Sequence, residues 1–140
     1  MKSKNMLRVA IGSFVSLSLT ANSAINGYFD AIHYGLVDDA YGWICDSSNP
    51  NTAPPGNLVW YSGGPAGGGG TIWQENSVSF YWGFYRPDVP AAGYCGSNQY
   101  AGFGAHDWIP STVYLYYRDT SGNLTLINGS PKICSGKRSN

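Results

Sequence analysis

The sequence is poor in charge, in histidine and in long apolar runs, and each shortage argues against a class of protein. Eight Lys and Arg and eight Asp and Glu occur among 140 residues, and three of the basic side chains (Lys2, Lys4, Arg8) stand at the very start. From residue 24 onward five basic residues face eight acids, a net of minus three, which speaks against a general nucleic-acid or anionic-membrane surface. No later apolar stretch is long enough to span a bilayer, so membrane insertion is not expected. Two histidines (His33, His106) and three cysteines (Cys45, Cys95, Cys134) do not supply ligand spacing for zinc, and no metal or cofactor is expected. Helical periodicity is missing as well: no window after residue 24 repeats apolar residues at three- and four-residue spacing over several turns.

What the chain has begins with a positive start, the apolar run "VAIGSFVSLSL" and the small-residue zone "TANSA". This reads as a secretory signal peptide at 1–23, cut after Ser23. The mature protein, 24–140, is expected as a single domain, secreted or periplasmic, with its last few residues disordered. Export favours oxidation, so one disulfide and one odd thiol follow from three cysteines, with all three pairings open.

Gly, Pro, Asn, Ser and β-branched or aromatic residues dominate the mature part. The expected fold is all-β: a single small β-sandwich, Ig-like in architecture, with about seven short strands. Strands are expected in "GYFDAIH", "LVDDAYGWICD", "NLVWYSG", "TIWQENSVSFYWGFY" (interrupted near Glu75 and Asn76), "YAGFGAHDWI", "TVYLYYRD" and "NLTLING". In "YLYYRDTSGNLTLI" two alternating runs flank Asp119–Asn123, where Gly122 is free to take the positive φ of a hairpin bulge. "SGGPAGGGG" lacks the Gly-Lys-Ser/Thr ending of a phosphate loop and reads as a flexible hairpin tip.

Five aromatics crowd six positions in "FYWGFY". Strand alternation puts Phe80, Trp82 and Phe84 on one face, expected inside, and Tyr81 and Tyr85 on the other, expected outside. Trp43, Trp82 and Phe103 are expected in the core. Leu115 and Tyr117 oppose Tyr114 and Tyr116, with either face able to be the core.

Five landmarks occur in order: "YFDAI", "GWICD", "RPDVPAAGYCG", "GFGAHDWIP" and "LINGSPKI". Together they resemble a β-sandwich module of secreted and surface-associated bacterial proteins, found alone, in tandem or appended to larger enzymes such as glycosyltransferases. The resemblance covers nearly the whole mature chain and implies an accessory or recognition role without fixing a ligand. Cys45 stands where such modules often carry alanine. Pro87 pushes Arg86 away from helical geometry, so Arg86 and Asp88 should emerge close together and pin an irregular loop, or else contact a sugar or peptide. On the first of these readings, removing the Asp88 carboxylate should cost roughly 1–3 kcal/mol.

No catalytic constellation is legible, and the chain is not expected to be an enzyme. His106 and Asp107 are neighbours that a strand sends to opposite faces, so Asp107 is a poor orienter of His106. Asp38 and Asp39 split in the same way, and neither a Gly-x-Ser-x-Gly elbow nor a His-Glu-x-x-His run is present. The expected function is weak glycan binding through exposed aromatics and loop polar groups, with Trp60, Tyr61, Trp73, Tyr81, Tyr85, Arg86 and Asp88 as the ligand-binding set. The alternatives are recognition of a surface protein, as an adhesin subunit or exported inhibitor, and a structural domain with no small ligand. An aromatic line along one exposed sheet face would favour sugar; a protruding loop with one anchor would favour protein.

Overall fold

The structure, a computed structural model, describes residues 24–134; the expected signal peptide and the last six residues lie outside the described part. Nine strands form there: β1 (Ile25–His33), β2 (Asp38–Asp46), β3 (Asn57–Ser62), β4 (Thr71–Ser77), β5 (Trp82–Phe84), β6 (Gly102–Asp107), β7 (Thr112–Arg118), β8 (Leu124–Leu126) and β9 (Lys132–Ile133). They make two antiparallel sheets, the first in the order β1-β2-β6-β5 and the second in the order β4-β3-β7-β8, with β9 also pairing β7. The chain is a small β-sandwich.

The count exceeds the expected seven because the run 71–85 splits and a short β9 is added. The split falls just after Ser77, where β4 ends at the edge of the second sheet and β5 begins at the edge of the first. A one-turn helix, Val78–Tyr81, carries the chain across. This resets the side-chain alternation. Val78 and Tyr81, three apart on the turn, both point inward, whereas Phe80 and Phe84, expected inside, are 70% and 56% exposed.

The core lies between the sheets and is centred on Trp60, which is fully buried. Its ring meets Phe29 at 5.7 Å and 88°, Trp73 at 6.1 Å and 90°, Phe103 at 6.2 Å and 78°, and Tyr81 at 5.6 Å and 60°. The first three are edge-to-face pairs, which set the positive ring edge against the negative face and contribute about 0.5–1.5 kcal/mol each beyond area burial. Leu58, Val113, Leu115 and Tyr117 complete the same layer from β3 and β7, so Leu115 and Tyr117 are the inward pair on β7. Phe103 is in the core as expected.

The hairpins follow the turn signals. Gly122 takes φ 92° between β7 and β8, and the Asp119 carboxylate accepts from Ser121 N and Asn123 N at 2.9 Å each. The glycine run joins β3 to β4, but it folds back instead of standing free. Ala66 N donates to the Tyr116 hydroxyl at 3.0 Å, and Gly68 N and Gly70 N both donate to the Pro65 carbonyl. Across the second sheet, Glu75 on β4 accepts from Asn57 on β3 and Arg118 on β7, each at 2.9 Å, and its carboxyl is held below the ordinary range, first by Asn57.

A disulfide joins Cys45 on β2 to Cys95 in the connection between β5 and β6; Cys134 is a free thiol. The two cysteines are 50 positions apart, and closing such a loop removes entropy from the unfolded chain worth about 4 kcal/mol in the chain-entropy view. Cys45, Cys95, Val89 and Ala101 make a second small apolar cluster on the outer side of the first sheet, with Trp43 and Trp82 packed against it.

Candidate functional site

The outer face of the first sheet is where exposed aromatic and polar side chains converge. On β2 the residues Ala40, Gly42 and Ile44 are buried toward the core, so Asp39, Tyr41, Trp43 and Cys45 project to the other side. Directly paired residues share a face. Trp43 pairs with Tyr28 on β1 and Gly102 on β6, Tyr41 with Ala31 and Gly104, and Asp39 with His33 and His106. Three rows therefore cross the face.

At the first row a cleft of about 270 Å³ opens between Tyr28, Trp43 and Tyr94, with Asn26, Thr125 and Asn128 also in its lining. Trp43 and Tyr94 lie with ring centroids 5.0 Å apart and tilted by 38°. Tyr28 and Tyr94 are 43% and 47% exposed. The cleft exists because β1 bridges both sheets: Phe29 N donates to Asn128 O at 2.8 Å, and Tyr28 pairs with Asn128 in a parallel bridge. That junction brings the residues after β8 beside Trp43.

A second cleft, of about 300 Å³, occupies the next rows and is lined by Tyr41, Phe84, Gly104, Asp39 and His106. Its shape depends on a missing side chain. A Cβ on Gly104 would stand 2.1 Å from Phe84 Cε2, so the Phe84 ring crosses the β6 backbone only because position 104 is glycine. At the far end His106 Nδ1 is hydrogen-bonded to an Asp39 carboxylate oxygen, and the Tyr41 hydroxyl meets His33 Nε2 at 3.1 Å. Asp107, on the opposite face, accepts instead from Gln74 at 2.9 Å.

Between the clefts runs Arg86. Its stem lies over Gly102, and its Nη1 reaches the Asp30 carboxylate on β1 at 2.5 Å, crossing β2 between the Trp43 and Tyr41 rows. Nε and Nη2 grip Asp88 in a two-pronged pair at 2.9 and 2.8 Å. These contacts hold the guanidinium well above its ordinary value, with the Asp88 hydrogen bond the largest influence and Asp30 adding to it. The same Arg86 hydrogen bond holds the Asp88 carboxyl below its ordinary range.

The residues expected to bind ligand are scattered by this arrangement. Trp60 is corrected from an exposed face to the centre of the core, because it shares the inward parity of Leu58 on an interior strand. Tyr81 is corrected to a buried position by the helical turn; its hydroxyl donates to Gln74 and accepts from Asn76, and burial raises its pKa. Trp73 is half-buried against Trp60, and Tyr61 packs edge-on with Tyr116 beside the glycine loop. Tyr85 is exposed and leans on Tyr100. Of the set, Arg86 and Asp88 are brought together. Trp43, expected in the core, belongs to the outer face. Tyr28, Trp43, Tyr94, Tyr41 and Phe84 escaped the sequence reading. The signal was the small-residue parity of Ala40 and Gly42 beside the aromatic parity of Tyr41 and Trp43.

The fold and this face define a small disulfide-bonded antiparallel β-sandwich with an aromatic outer surface. Compared with protein-family models, with curated proteins and with solved structures, the chain finds no match. Among the described residues no helix is long and apolar enough to cross a membrane.

Proposed function

We propose that the chain is an exported, non-catalytic recognition module that binds glycan on the outer face of its first sheet. The observation that carries this reading is the cleft lined by Tyr28, Trp43 and Tyr94 together with Asn26 and Asn128. A pyranose presents weakly positive C–H groups on its faces and hydroxyls round its rim. Aromatic faces attract the former through their quadrupole, and carboxamides donate to and accept from the latter. The carboxylates of the face, Asp30 and Asp88 on Arg86 and Asp39 on His106, outnumber its cations, so a neutral sugar suits it better than an acidic one. The sequence landmarks, with the accessory role they imply, point the same way. A glycan array probed with the mature protein tests the reading, alongside Trp43→Ala. Binding that Trp43→Ala abolishes while the variant remains folded at the assay temperature supports it; binding that ignores Trp43 refutes it.

A protein-interaction module is the second reading, and one feature favours it. Leu36 is fully exposed on the β1–β2 turn, next to the half-exposed Val37, and Asp38 ties this turn by accepting Gly35 N at 3.1 Å and Ile109 N at 2.9 Å. A rigidly held apolar tip is what an anchor residue needs. A blank array together with a host protein captured by the wild type and lost with Leu36→Ser would move the assignment here.

A further inference from the structure

Resting on the glycan reading, we infer that the outer face of the first sheet is an extended binding surface for a chain of neutral sugar rings, with the Tyr41–Phe84 cleft as a second subsite beyond the Tyr28–Trp43–Tyr94 cleft. Trp43 and Tyr41 are two residues apart on one strand, so their side chains leave the same face about 7 Å from each other. The two clefts are thus successive positions along one line and not separate pockets on different sides. The second cleft lies on the sheet surface, and the first opens from that surface onto the junction of β1 with the segment after β8, so neither closes off the line as an end-capping pocket would.

The second cleft has its own complement of recognition groups. Phe84 is 56% exposed although an apolar ring at a short edge strand could have been turned inward, and the glycine beneath it gives it a fixed seat on β6. Tyr41, Asp39 and His106 place a hydroxyl, a carboxylate and an imidazole at the far end. Arg86 marks the boundary between the subsites, and its three hydrogen bonds to Asp30 and Asp88 hold it as a rigid divider whose positive charge is more than offset by the two carboxylates.

The test is a length series. Chito-oligosaccharides and cello-oligosaccharides of one to six units serve as probes in calorimetric titration of the mature protein, with Phe84→Ala and Gly104→Ala as variants. Affinity in the wild type should rise with chain length and then level off. Phe84→Ala should leave the shortest binding oligomer unaffected and weaken the longest by about tenfold, the worth of one lost aromatic contact. Gly104→Ala, which dislodges the ring without deleting it, should act in the same direction and covers the case in which Phe84→Ala fails to fold. Equal affinity for short and long oligomers, with both variants silent and Trp43→Ala still damaging, overturns the second subsite and leaves the glycan reading standing. Binding of no oligomer in either series, together with a blank glycan array, overturns both.

Discussion

Trp60 and Trp43 show how differently two tryptophans in one small domain can be used. Trp60 touches four aromatic rings and has no exposed surface, although its Nε1–H meets no acceptor among the described residues. Trp60→Ala should therefore cost about 3–5 kcal/mol in denaturant unfolding, while Trp43→Ala, on the outer face, should cost clearly less. Equal losses would mean that Trp43 carries the core after all. Arg86 separates Asp30 from Asp88 in the same way. The Asp88 side chain is 63% exposed and its side-chain partner is Arg86, so Asp88→Asn should lower stability by no more than about 1 kcal/mol, below the cost expected from sequence. Asp30 sits at 27% exposure against a guanidinium at 21%, and Asp30→Asn should cost more than Asp88→Asn in the same unfolding series. The reverse order would place the pinning contact at Asp88.

Among the elements, the glycine-rich hairpin departs most from expectation. Composition suggests a loose tip, but Ala66 N is held by the Tyr116 hydroxyl, and Tyr116 is itself buried against Tyr61. A loop without side chains can lie close on a sheet, and here it shields the outward ring of β7. Tyr116→Phe removes the acceptor and keeps the ring. Hydrogen exchange at the Ala66 amide should speed up markedly, with a global loss of about 1 kcal/mol. Unchanged exchange at Ala66 would show the loop held by its own Pro65 turns alone.

For the whole molecule, burial of tyrosine ties stability to alkaline pH. Burial pushes the Tyr34 hydroxyl up to about 12 from 10.0, with Cys134 and Asp38 adding to it, and burial also raises Tyr81 and Tyr117. A folded-state pKa above the unfolded one means that the unfolded chain loses its proton first. The contribution is complete below pH 10 and is lost as pH climbs toward 12. Unfolding temperature should thus fall steeply between pH 10 and 12. Tyr34→Phe, which also gives up the 3.1 Å bond to Pro110 O, should start lower at neutral pH and fall less steeply thereafter. Parallel slopes for the two proteins would remove Tyr34 from the effect.

Local chemistry determined the class of fold. Aromatic and β-branched runs without helical period, broken by Gly, Pro and Asn, leave antiparallel strands as the way to satisfy the backbone, and the Asp119–Asn123 turn was legible down to Gly122. The neighbourhood of Arg86 and Asp88 was legible too, because Pro87 constrains both. Tertiary structure alone decided which side of each strand faces inward. Alternation defines two faces but says nothing of which one the other sheet covers, and the parity is reset wherever the chain bends, as at Val78–Tyr81, where Phe80 and Phe84 were turned out and Tyr81 in. The pairing of Cys45 with Cys95 and the meeting of Asp39 with His106 depend on register across strands far apart in the chain. So does the cleft at Trp43, whose walls come from β1, β2, the loop before β6 and the segment around β8. Contacts between distant segments are set by how the whole core packs, and no local stretch of sequence carries that information.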